Sequence, residues 1–160
     1  MRKLRVKKGF TLIELLVVIS VIGLLTALIM VNFNAARERA RDVQRKSDLN
    51  HIKTALRLYY NDYGEYPADS GVNIVACGSG DSPVACSWSA VWTRGSMTYM
   101  RILPQDPMPD EIYSYSQEAS GQDFCIWGTL ENQSDGNIDS SQTRCSVCSV
   151  GADDYVVCAD

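Results

Sequence analysis

Residues 9–16 read Gly-Phe-Thr-Leu-Ile-Glu-Leu-Leu, and the acid inside this apolar stretch decides how the chain is read. Five basic residues, Arg2, Lys3, Arg5, Lys7 and Lys8, precede it, and Leu15 to Ala36 then supplies 22 consecutive residues without a charge. As a helix, that is about the length needed to cross ~30 Å of hydrocarbon. The basic cluster orients such a helix with its N-terminus in the cytoplasm and everything after Ala36 outside. Glu14 within it costs roughly 2.5–3.5 kcal/mol on insertion scales, so it persists only with a partner. The plainer account is a carboxylate that snorkels to the cytoplasmic interface. A secretory signal shares the order basic then apolar. Its apolar core spans only ~7–15 residues, however, and does not run on into an amphipathic helix.

Outward from the apolar run, helix is predicted to continue. No proline occurs before Pro67, and Gly23 is the only glycine between Phe10 and Tyr63. Leu49, Ile52, Leu56, Tyr59 and Tyr63 recur at spacings of three and four and line one face. A helix of roughly fifty residues follows, on the order of 75 Å at ~1.5 Å per residue, too long for a small domain to cover. Gly64 supplies a left-handed cap, and Tyr66-Pro67 forbids continuation. Residues 68–87 show no apolar period and read as a loop, Ser96 to Leu103 as a short helix, and Leu103 to Pro107 as a break. Strand signals come late, at Ile112 to Gln117, at Asp123 to Leu130 across a Ser120-Gly121 turn, and at Tyr155 to Cys158. Glu131 to Asp154, rich in Ser, Asp and Asn, reads as a long loop.

Residues 9–16 after a basic leader resemble the class III signal of type IV pilins and type II secretion pseudopilins. The resemblance implies a prepilin peptidase that cuts after Gly9 and methylates the new amine of Phe10, with Glu14 at the family's acidic position. It also implies assembly with identical or related pilin subunits, driven by a membrane platform and its cytosolic ATPase. Glu14 of one subunit is then expected to pair with the Phe10 amine of a neighbour. Ser20, Gly23, Thr26 and Ala27 allow close helix approach, and Gly23 is where the helix can loosen on extraction. Many pilins have a proline in this stretch, and this chain has none. Tyr60 to Pro67, Leu103 to Pro107 and Tyr113-Ser114-Tyr115 look like further ordered landmarks of the family. Met108-Pro109 stands where Trp-Gly often follows the bend, and six cysteines are unusual for a major pseudopilin. Both departures point toward a surface pilus.

Charge and cysteines place the remainder outside the cytoplasm. Net charge is −4, but without residues 1–9 ten basic residues face nineteen acidic ones, and residues 58–160 carry only Arg94, Arg101 and Arg144 against fifteen acids. A head at −12 repels phosphate backbones, so direct nucleic-acid binding is not expected. Cys77, Cys86, Cys125, Cys145, Cys148 and Cys158 all lie beyond the apolar run and suit an oxidising compartment. Cys77 and Cys86 close a short loop of low apolar content and are expected to pair. Each strand cysteine, Cys125 and Cys158, takes one of the loop cysteines Cys145 and Cys148, with the choice open.

Asp135, Asn137 and Asp139 alternate oxygen ligands and form a candidate calcium set, which the resemblance to major pseudopilins supports. Ser140 and Ser146 stand where a calcium hand has its glycine and glutamate, so a solvated acidic loop is the plainer reading, and no cofactor is required. Cys145-x-x-Cys148 lacks a second pair for zinc, and the single histidine, His51, lies on the helix as a surface or interface residue, so no catalytic triad assembles and no enzyme is expected.

These readings define an α+β protein, a long N-terminal helix packed on a small antiparallel sheet. Residues 1–9 form a cytoplasmic leader, 10–36 a transmembrane and filament-core helix, 37–66 its amphipathic continuation, and 67–160 a disulfide-containing extracytoplasmic head. The expected function is a structural subunit of a type IV pilus-like filament, stored in the membrane as a single-pass protein and polymerised through its N-terminal helix after leader cleavage. The alternatives are a secretion pseudopilin and a membrane-anchored binding domain that never polymerises.

Overall fold

The computed structural model describes residues 9–159, with the side chains of residues 28, 29, 31 and 32 outside that description. The basic cluster of Arg2 to Lys8 and the rest of the leader before Gly9 therefore lie outside the described residues. Helix α1 runs Leu12–Tyr63 over 52 residues. The chain divides into two compact units after Arg37, so the C-terminal half of α1 belongs with the head.

α1 stops as its sequence requires. Gly64 takes a φ of +76°, and its N–H donates to the Tyr60 carbonyl at 2.8 Å, closing the last turn. Leu49, Ile52, Ala55, Leu56 and Tyr59 are buried, at helical spacing, against the head. Tyr63, expected on the same face, is 46% exposed and instead stacks its ring on Tyr59 at 4.4 Å, because the helix ends beneath it.

Strands β6 (Ser114–Glu118), β7 (Asp123–Thr129) and β8 (Asp154–Cys158) form an antiparallel sheet in the order β6-β7-β8. Tyr115 opposes Ile126, and Ile126 opposes Val157, so one face presents these three with Phe124 to the main core around α1. The opposite face presents Cys125, Val156 and Cys158, which pack with Cys145. A strand buried on both sides explains why β7 reads almost continuously apolar. Gly128 sits where a Cβ would come within 2.9 Å of the Tyr113 ring.

Three segments differ from the sequence expectation. Residues 68–87, expected as a loop, hold β1 (Ala68–Ser70), β2 (Asn73–Cys77) and β3 (Val84–Ala85) in a small antiparallel sheet. Only Ile74 and Ala76 of β2 point into the core, too short an alternation to register as a period. Ser96 to Leu103, expected as helix, contributes β5 (Met97–Met100), which pairs with β4 (Trp92–Arg94) across the two-residue turn Gly95-Ser96. Gly95 at φ +60° supplies that turn, and buried Trp92 anchors the hairpin, its indole N–H donating to the Ala76 carbonyl at 3.1 Å. The third segment lies in Glu131 to Asp154, where α2 (Asn137–Arg144) forms despite its polar sequence. Ile138 is buried against the core and Cys145 is cross-linked just beyond the helix end, so tertiary anchoring overrides a weak propensity.

All six cysteines are cross-linked. Cys77 joins Cys86 as expected, and each strand cysteine takes one loop partner, Cys125 with Cys148 and Cys145 with Cys158.

Candidate functional site

The N-terminal segment is an apolar helix whose first turn is closed by side-chain hydrogen bonds. Thr11 is the cap: the Glu14 N–H donates to the Thr11 hydroxyl oxygen at 3.3 Å, while the Thr11 N–H and hydroxyl both donate to Glu14 Oε2, at 2.8 and 2.7 Å. This reciprocal arrangement is a capping box, so Glu14 satisfies the first orphan amide of α1 and also places a negative charge at the positive end of the helix dipole. Phe10 precedes the cap and is 83% exposed. Gly9 and Phe10, the expected cleavage pair, thus lie in the irregular stretch just before the helix starts.

Beyond the cap, the described large apolar side chains from Phe10 to Phe33 are between 47% and 83% exposed. Ser20 and Thr26 return their hydroxyls to the Leu16 and Ile22 carbonyls, each at 2.8 Å, so neither presents an unmet polar group on this surface. Gly23 lies in unbroken helix with open space where a Cβ would be. Among the described residues no helix is long and apolar enough to cross a membrane. The uncharged run of the sequence includes the four residues whose side chains are not described.

At the start of the head-covered half, α1 carries a buried ion cluster that sequence reasoning missed. Arg45 is fully buried and donates to both Asp106 oxygens (2.7 and 2.9 Å), to Asp42 (2.8 Å) and to Glu131 (2.7 Å). Burial pulls against its charge, but hydrogen bonds to the three carboxylates raise its pKa further. Arg41 pairs with Glu131 and, by that hydrogen bond first, holds its carboxyl down at about 2. Asp42 also accepts the backbone N–H groups of Glu131 (3.0 Å) and Asn132 (2.9 Å). The only sequence signal was the density of charge in residues 37–46, which reads equally as a solvated helix face.

Of the candidate calcium residues, Asp135 and Asn137 are in contact, and Asp139 is placed apart from them. Asp135 pairs with Lys46, whose hydrogen bond holds its carboxyl below the usual range, and its other oxygen accepts the Asn137 N–H at 2.9 Å. Asn137 and Asp139 lie on α2 two residues apart, about 200° around the axis, and leave opposite sides of it. His51 is exposed on α1.

Comparison with known proteins agrees with this arrangement. Residues 4–30 match the prokaryotic N-terminal methylation motif, and residues 32–146 match the model for type II secretion system protein G. Type II secretion system core protein G of Klebsiella pneumoniae is 32% identical over 117 residues, covering 72% of this chain and 79% of its own. The counterpart from Escherichia coli is 29% identical over 132 residues, covering 77% and 87%. The type IV wide pilus major component PilA4 of Thermus thermophilus is 35% identical over 88 residues, covering 55% and 66%. No solved structure matches the chain. The methylation motif over the start of α1, followed by a small α+β head that matches the protein G model, places the chain in the pilin-like class. Within that class, the chain belongs to the type II secretion system protein G family.

Proposed function

We propose that this chain is the precursor of a structural subunit of an extracytoplasmic filament. It is stored in the membrane through residues 10–36, cut after Gly9, methylated at Phe10 and polymerised through α1. One observation carries the reading: an apolar helical surface that the chain itself leaves uncovered, with a single carboxylate at its first turn. Lipid and neighbouring copies of the same helix bury similar apolar surface, so transfer from one to the other carries little hydrophobic cost. Glu14 pairs with the Phe10 amine of the next subunit and sets axial register. Peptidase, assembly platform and ATPase act as separate partners. The role is structural, with no catalysis.

Mass spectrometry of the mature N-terminus tests this. A methylated Phe10 is expected, and a chain that begins at Met1, or is cut beyond Ala27, overturns it. Two filaments remain as destinations. The cross-linked head supports a surface pilus, with all six cysteines joined for an exposed life outside the cell. The relatives named core protein G support a secretion pseudopilus. Deleting the gene separates them: loss of surface fibres supports the first, and retention of normally secreted proteins the second.

A further inference from the structure

The segment between β7 and α2 is acidic, and an acidic segment on a small head invites a divalent ion. Its carboxylates are already engaged. Glu131 gives both oxygens to Arg41 and Arg45, and Asp135 gives one to Lys46 and the other to a backbone amide. The neighbouring acids are occupied too, Asp42 by Arg45 and two amides, Asp106 by Arg45 and the Met108 N–H at 2.8 Å. Asp154 accepts the Thr129 hydroxyl at 2.7 Å and the Gly151 N–H at 2.8 Å. Among the described residues no three His, Cys, Asp or Glu side chains are grouped to hold a metal. A calcium ion here must strip Lys46 from Asp135 and then sit beside a helix turn that also carries Arg41 and Arg45, which like charge opposes.

We propose that three side-chain cations of α1, Arg41, Arg45 and Lys46, hold the acidic segment 131–135 to the helix as a bridging metal does in other proteins, so that the head folds and persists without calcium. Arg45 supplies the buried anchor, Arg41 the second clamp on Glu131, and Lys46 the tie to Asp135 at the entry to α2. The disulfides Cys125–Cys148 and Cys145–Cys158 fix the far side of the same segment and of α2. Restraint at both ends leaves an ion nothing to order. The inference is independent of whether the chain polymerises.

The test uses the full chain in detergent micelles, melted by near-ultraviolet circular dichroism in excess calcium and in excess chelator, with equilibrium dialysis against radioactive calcium. Superimposable wild-type melting curves and no retained calcium are expected. Lys46→Met should melt lower than wild type by the same shift in calcium and in chelator, and Lys46→Arg should recover most of the loss. A wild-type melt that chelator lowers, or calcium retained near one ion per chain, overturns the proposal. So does Lys46→Met melting like wild type. If Lys46→Met does not fold, the wild-type melts and dialysis decide alone.

Discussion

Glu14 has two separable chemistries. Its carboxylate closes the capping box with Thr11, and its charge is the proposed partner of a neighbour's amine. Glu14→Gln keeps an acceptor at the third helical position and removes the charge, whereas Glu14→Ala removes both. Both variants should insert and be cleaved, and both should give few filaments as sole subunit, with Glu14→Ala losing in addition the reciprocal hydrogen bonds with Thr11 that close the first turn. Wild-type filament yield from Glu14→Gln, counted by electron microscopy or shear-and-blot, would remove the charge from the mechanism. Arg45 is the corresponding residue in the head. Arg45→Met leaves Asp42 and Asp106 buried without their cation, and a loss of about 3–5 kcal/mol in denaturant unfolding is expected. At Gly128 the Tyr113 ring leaves no room for a methyl group, so Gly128→Ala should cost about 1–3 kcal/mol by the same measurement.

The loop after β7 is tied to α1 by carboxylates whose proton affinity is depressed on folding, which makes the tie sensitive to acid. Glu131 sits at about 2 through Arg41, and Asp135 is lowered through Lys46. Both bind protons more weakly folded than unfolded. Their stabilisation is therefore complete above the ordinary carboxylate range near ~4.3 and is lost as pH falls toward ~2. Unfolding free energy should drop across that window, and Glu131→Gln should flatten the drop; an unchanged slope in the variant would show that other groups carry it. Elements of this kind were only partly legible beforehand. The end of α1 could be read because Gly64 and Pro67 act locally, and β6 to β8 because Tyr113 and Tyr115 alternate with serines while Phe124–Trp127 and Tyr155–Cys158 are continuous apolar runs. The hairpin β4–β5 and the sheet β1-β2-β3 were not, since strands of two to five residues are held by Trp92, Ile74 and the Cys77–Cys86 link, contacts that sequence spacing does not display. The buried ion cluster escaped for a related reason: Arg45 meets Asp106 and Glu131 from 61 and 86 residues away.

Across the whole chain, the apolar N-terminal unit and the cross-linked unit from Glu38 onward draw on different physics, the one, in the proposed role, on lipid or neighbouring helices, the other on a core and three disulfides. Perturbations to the two are then expected to be additive. Replacing Cys125 and Cys148 by alanine opens a link between residues 23 apart and should cost about 2–5 kcal/mol. The melting temperature should fall while the proposed cleavage after Gly9 and methylation of Phe10 proceed at wild-type extent, because the methylation motif, residues 4–30, lies wholly within the first unit. Glu14→Gln should do the reverse, with filaments lost and the melting of the head unchanged. Mass spectrometry of the N-terminus and thermal melting on the same two preparations read both quantities. Impaired processing in the cysteine variant, or a lowered head melt in Glu14→Gln, would mean that the units are energetically coupled. In that case head stability, and not the helix alone, would set which subunits enter the filament.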